Sequence, residues 1–147
     1  MCFVKDFLPH KIANEDIKCY KVVRKYDNEN YFRSSVFHYP YELGCTYFAK
    51  PPYYFRERCV DVLHFLDNLN VLSFCVFHSF IEIDELELAE IDIQNGSDGY
   101  RAKCVILECV IPAGTPYWVN AKSKQYASTS IKVVRSITTM EYASSVN

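Results

Sequence analysis

The best metal-ligand set in the chain is Cys59, His64, Cys75 and His78, spaced C-x4-H-x10-C-x2-H. Two thiolates and two imidazoles are the ligand types of a structural zinc site. The elements that would hold them argue against it. On a helix, Cys59 and His64 are separated by a rotation of ~500°, which leaves them ~140° out of line. On a strand, Cys75 and His78 point to opposite faces. Buried thiols and ordinary histidines are therefore expected, with no metal. Cys104 and Cys109 fail the same facing test. A cysteine nucleophile needs a histidine close in space, and Cys75 with His78 and Cys45 with His38 are the candidate pairs. No G-x-S-x-G elbow, H-E-x-x-H helix, P-loop or Cys-x-x-Cys occurs. Acids are plentiful, yet nothing singles out a pair for general acid–base work. The four glycines argue against a glycine-rich phosphate loop. No catalytic residue and no cofactor is assigned.

Charge is spread unevenly. The formal net charge is -2, which gives no global attraction to nucleic acid. A Tyr53-Tyr54-Phe55-Arg56-x-Arg58 cluster could stack bases and neutralise phosphates. Such a cluster is more often a packed helix entry with arginines reaching to water, and nucleic acid is not the expected partner. From Ile81 to Tyr100 stand seven acids (Glu82, Asp84, Glu85, Glu87, Glu90, Asp92, Asp98) and no lysine or arginine. The ordinary reading is a solvated face; the alternative is a docking surface for a basic partner, with Glu85 and Glu87 at its centre.

The elements that must position these residues read as α+β. At 147 residues, half of them hydrophobic and 16% aromatic, one folded domain over 1–147 is expected. The seven cysteines are odd in number and irregular in spacing. No signal peptide or membrane-length apolar run accompanies them. That pattern suits reduced thiols in the cytoplasm, host cytoplasm if the protein is viral.

Ile17 to Lys25 reads as a strand, with Ile17, Cys19 and Val23 facing one way and Lys18, Tyr20 and Val22 the other. Asp27 to Asn30 is a turn. Glu42 to Tyr47 is a turn entering a strand, and Pro51-Pro52 blocks regular structure. Three- and four-residue apolar spacing predicts the main helix over 57–69, with a buried strand over 71–80 after it. A short helix is expected over 84–91. Asn95 to Gly99 is a loop, and strands follow over 102–111, 115–119 and 130–138. Regular βαβ alternation is missing, so the sheet should be mixed and mostly antiparallel, and a doubly wound nucleotide fold is not expected.

Four pieces in order carry a resemblance. They are Ile17-Lys-Cys-Tyr-Lys-Val-Val23, Tyr41-Glu-Leu-Gly-Cys-Thr-Tyr47, Phe77-His-Ser-Phe80, and Glu108-Cys-Val-Ile-Pro-Ala-Gly-Thr-Pro-Tyr117 followed by Tyr126-Ala-Ser128. Together they resemble small uncharacterised proteins of bacteriophages and their bacterial hosts. Those relatives carry glycine where this chain has Val76. The resemblance implies no particular activity.

A second, weaker similarity is to the ADP-ribosyltransferase fold. In that fold a strand ending in a Pro-x-Gly turn precedes a last strand introduced by a catalytic glutamate. This chain has the strand and turn over Leu107 to Thr115, but Gln125-Tyr-Ala-Ser128 stands where the glutamate would be. The resemblance therefore implies a degenerate site, because the missing acid is the group that stabilises charge developing on the ribose.

Absent catalytic motifs, aromatic richness and the one-sided acidic segment lead to an expected role in binding. The leading expectation is a non-enzymatic intracellular protein of phage or phage-like origin. It would act as a counter-defence inhibitor on a host protein, or bind a small nucleotide. An enzyme using an NAD-like or nucleotide ligand in a degenerate transferase cleft is the alternative, and a virion structural role the third. Candidate ligand-binding residues are Tyr20, Arg24, His78 and Ser79; no membrane association is expected.

Overall fold

The computed structural model describes residues 10–34, 39–49, 63–66, 71–74, 76–96 and 102–145, with backbone pairing alone for 63–66 and 71–74. In chain order the elements are β1 (Lys11–Ile12), β2 (Ile17–Tyr26), β3 (Phe32–Ser34), β4 (Pro40–Tyr41), β5 (Thr46–Phe48), β6 (Leu63–Leu66) and β7 (Val71–Phe74). Then come β8 (Phe77–Phe80), α1 (Glu85–Asn95), β9 (Ala102–Ile111), β10 (Pro116–Asn120), β11 (Gln125–Ser128), β12 (Ser130–Ile137) and α2 (Thr139–Ser145). Every ladder among them is antiparallel. The sheet dominates and two helices accompany it.

The longest ladder joins β2 to β9, in register from Ile17 opposite Ile111 to Tyr26 opposite Ala102. Both strands alternate as half-buried strands must. Cys19, Val23, Leu107 and Cys109 enter one apolar cluster, while Tyr20, Val22 and Ile106 enter another on the opposite face. The strand order is β1-β10-β11-β8-β2-β9-β12-β5. Only Thr129 separates β11 from β12, so residues 125–137 are one bent stretch that pairs with β8 through its first half and β9 through its second. The sheet thus turns back on itself around the Cys19–Leu107 cluster. The bend leaves no backbone group stranded: Thr129 N–H donates to Pro116 O (3.2 Å), and Thr129 O accepts from Ala49 N (2.8 Å).

On the other face, the sheet is covered by the two helices. Asp84 caps α1, its Oδ1 accepting from Glu87 N at 2.8 Å; such a cap contributes about 1 kcal/mol. Ile91 is buried against the sheet. For α2, Thr138 and Glu141 form a reciprocal capping box, with Glu141 N donating to Thr138 Oγ1 (3.0 Å) and Thr138 N to Glu141 Oε1 (3.2 Å). Tyr142 locks the layer: its hydroxyl accepts from Ile83 N at 2.6 Å, and its ring meets Tyr20 edge-on at 4.8 Å.

The strand–turn–strand over 102–120 forms as its sequence implies. Gly114 turns at φ +86°, a conformation open to glycine, and Ala113 N is held by Asp16 Oδ1 (2.9 Å).

Three expectations are corrected. The helix predicted over 57–69 gives way at Leu63–Leu66, which pairs with Val71–Phe74 as a two-stranded antiparallel sheet; the rest of 57–62 and 67–69 lies outside the described residues. Leu63, Phe65 and Leu66 suit a strand as well as a helix stripe. A second apolar run just downstream supplies the pairing partner, and tertiary pairing overrides propensity. The single strand expected over 71–80 is two strands in different sheets, because β8 joins the main sheet. The short helix is longer than expected, reaching Asn95, where Gly96 N closes the last turn onto Asp92 O (3.0 Å).

Candidate functional site

Tyr20, Arg24, His78 and Ser79 are brought near one another by β2 and β8 but do not share a surface. Tyr20 lies opposite Phe80, buried under α2. Alternation along β8 sends Phe77 and Ser79 to the inner cluster and His78 and Phe80 to the helix side. His78 and Ser79 are both fully buried. Arg24 stands four residues beyond Tyr20 on the helix side, half-exposed, directly opposite Arg33 of β3 and Cys104 of β9.

Lys21 shares the inner face of β2 with Cys19 and Val23 and is 3% exposed, a charged residue on a buried face. The edge of β2 away from β9 pairs with β8 at Tyr20 and with β3 from Val23 onward, and Lys21 sits where the two neighbours part. Its ammonium donates to His78 O and lies 5.3 Å from the centre of the Tyr41 ring. Beside it, burial pushes the Cys19 thiol up to about 11, offset in part by the Ser79 hydroxyl and the Lys21 charge. A thiol so placed is a poor nucleophile at neutral pH. Ser79 Oγ touches this thiol without completing a well-formed hydrogen bond, and Ser128 Oγ on the same face makes none among the described residues.

Another titratable cluster joins β2, β9 and β12 on Glu108. Glu108, nearly buried, accepts from Arg135 Nε (2.9 Å) and Nη2 (3.4 Å) and faces Lys18 Nζ at 3.7 Å. The Arg135 hydrogen bonds hold its carboxyl below the usual carboxylate range. A groove of about 440 Å³ opens between the C-terminal end of α1, β9, β12 and the start of α2, floored by Ile91, Ile106 and Ile137. Asn95 closes one end by donating to Cys104 O (2.9 Å) and accepting from Cys104 N (2.7 Å).

The acidic segment is the outer surface of α1. Asp84, Glu85, Glu87, Glu90 and Asp92 accompany it with no basic residue in its last turn. Glu85 is exposed and Glu87 half-exposed; partial burial, then Glu90 and Asp84, raise the Glu87 carboxyl. What the sequence reading missed is the apolar component of the same surface. Leu86 is 82% exposed and Ile93 70%, with Ala89 exposed between them. Met140 at the start of α2 is 79% exposed, next to Thr139, whose hydroxyl donates to Asp92 Oδ1 at 2.8 Å. The seven-residue spacing of Leu86 and Ile93 was the available signal.

Among the described residues no group of three or more histidines, cysteines and acids is placed to hold a metal. Cys59, Cys75 and His38 lie outside those residues, as do Tyr53 to Arg58, and only the backbone of His64 is described. Cys45 is half-buried with its thiol 3.9 Å from Glu42 Oε2. No described helix is long and apolar enough to cross a membrane. No protein-family model, curated protein or solved structure matches this chain.

Proposed function

We propose that this chain is a non-catalytic binding protein that docks a protein partner through the outer face of α1. One observation carries the reading: two large apolar side chains, Leu86 and Ile93, stand in water two helical turns apart, among carboxylates on a helix that holds no lysine or arginine of its own. Leu86, Ala89 and Ile93 follow the i, i+3, i+7 spacing with which a helix enters an apolar groove. Their exposure contributes nothing to the fold and is recovered only when a partner covers them. The surrounding acids specify the partner's rim as basic and oppose self-pairing, because a second copy would set acid against acid. Glu85 and Glu87 are the charges in the first turn. The partner is then a protein with an apolar groove edged by lysine or arginine. Acting in the cytoplasm as a counter-defence inhibitor of a host protein fits this reading, its phage-like origin resting on the sequence resemblance.

A photo-crosslinking side chain at Ala89, introduced into the full chain in the producing cell, tests it. The expected result is one dominant crosslinked protein with a basic surface, lost on Glu85→Lys with Glu87→Lys and lost on Leu86→Ala with Ile93→Ala. A crosslink pattern unchanged by both double variants would overturn the proposal.

A further inference from the structure

A second surface, at the far end of β2, has the opposite charge. Its register places Arg24 directly opposite Arg33 and Lys25 directly opposite Lys103. Like charges facing across a ladder work against strand pairing, and here two such pairs are adjacent in a chain whose net charge is negative. Continuing the register sets Tyr26 beside Tyr31, so two arginines and two tyrosines occupy one face of the β2–β3 hairpin. The Arg33 guanidinium is held over the Tyr26 and Tyr31 rings, 5.1 and 5.6 Å from their centres. Glu29 ion-pairs with Arg33, which holds the Glu29 carboxyl below its ordinary range. Arg33 Nε nonetheless makes no hydrogen bond among the described residues. Arg24 forms no ion pair or hydrogen bond among them either. Its charge acts on the Cys104 thiol opposite it, which also feels Glu87 and Glu90.

We infer that the Arg24–Arg33 pair is a binding site for the phosphate group of a small soluble ligand. Arg24 and Arg33 leave the ladder opposite one another on one face, so one phosphate between them can take the paired N–H donors of both guanidinium groups. A dianion between them converts the repulsion across the ladder into attraction on both sides. The half-exposed tyrosines beside it give a ring-bearing phosphate ester, such as a nucleotide, a second contact that inorganic phosphate lacks. Glu29 competes with the ligand for Arg33. Its removal should therefore tighten binding, whereas loss of a purely structural ion pair would not.

Titration calorimetry of the full chain with inorganic pyrophosphate and with ADP, each at low and moderate salt, reads the site. The expected result is saturable binding that Arg24→Gln weakens about tenfold or more, that Arg24→Lys weakens less, and that Glu29→Gln tightens. Lys122→Gln, an exposed lysine outside the hairpin, should leave it unchanged. Absence of heat with either ligand at about 10 mM, equal losses for Arg24→Gln and Lys122→Gln, or weakening on Glu29→Gln would each overturn the inference. So would binding to phosphatidylserine vesicles with none to the soluble phosphates.

Discussion

Replacing Tyr142 by Phe removes a single oxygen and isolates one bond that fixes α1 in place. The Tyr142 hydroxyl accepts from the backbone N–H of Ile83 at 2.6 Å, one residue before the Asp84 cap of α1. Both partners are buried, Ile83 at 3% and Tyr142 at 1%. The Phe ring keeps the burial and the edge-on contact with Tyr20, so the loss is confined to the hydrogen bond. A buried N–H left without an acceptor costs about 1–3 kcal/mol. For a chain of this length that corresponds to a fall in Tm of roughly 2–10 °C. Urea unfolding should show a lower midpoint with an unchanged slope, and amide exchange at Ile83 should accelerate by the same free energy. Tyr31→Phe is the contrasting control: its hydroxyl donates to Glu29 at 2.7 Å in a half-exposed hairpin where water can replace it, and its effect should stay within about 0.5 kcal/mol. Equal effects of the two substitutions, or unchanged protection at Ile83, would refute the reasoning.

Four further outcomes are expected. The Glu108 carboxyl is depressed by Arg135, so its stabilisation is complete above the unfolded value of about 4.3 and is lost as pH falls through the lower folded value; Glu108→Gln should flatten that part of the stability–pH curve. The Glu87 carboxyl is raised by burial, so affinity for a basic partner should begin to fall, as pH is lowered, before the ordinary carboxylate range is reached, and Glu87→Gln should remove that early loss. Cys19, fully buried and pushed up to about 11, should react with a disulfide reagent in the folded protein far more slowly than Cys45, as read by peptide mass mapping. Gly114→Ala, at φ +86°, should cost about 1–2 kcal/mol through backbone strain alone.

The sequence made the local pieces readable and left their convergence hidden. The alternation of Ile17, Cys19 and Val23 against Tyr20 and Val22 assigned both faces of β2, because one face meets the inner cluster and the other the helices. Pro112 and Gly114 marked the turn between β9 and β10 for reasons of backbone geometry. The helix expected over 57–69 failed at Leu63–Leu66 because spacing describes one segment at a time, while the strand there depends on Val71–Phe74. The partners of Lys21 were hidden for a related reason: His78 O and the Tyr41 ring reach it from β8 and β4, elements far from β2 along the chain. At the candidate surface, the acids around Glu85 and Glu87 were plain from composition. The exposure of Leu86 and Ile93 was not, because an apolar residue in an amphipathic helix is expected to face the core.

The docking role of α1 is tested most directly by measuring, for the protein crosslinked from Ala89, its affinity for the wild-type chain and for Leu86→Ala with Ile93→Ala, alongside the Tm of each. Covering two such side chains is worth about 1.5–3 kcal/mol apiece, so the double variant should bind some hundredfold or more weakly while its Tm stays within the scatter of surface substitutions. An affinity within about twofold of wild type, or a loss of affinity matched by a loss of fold, would contradict it.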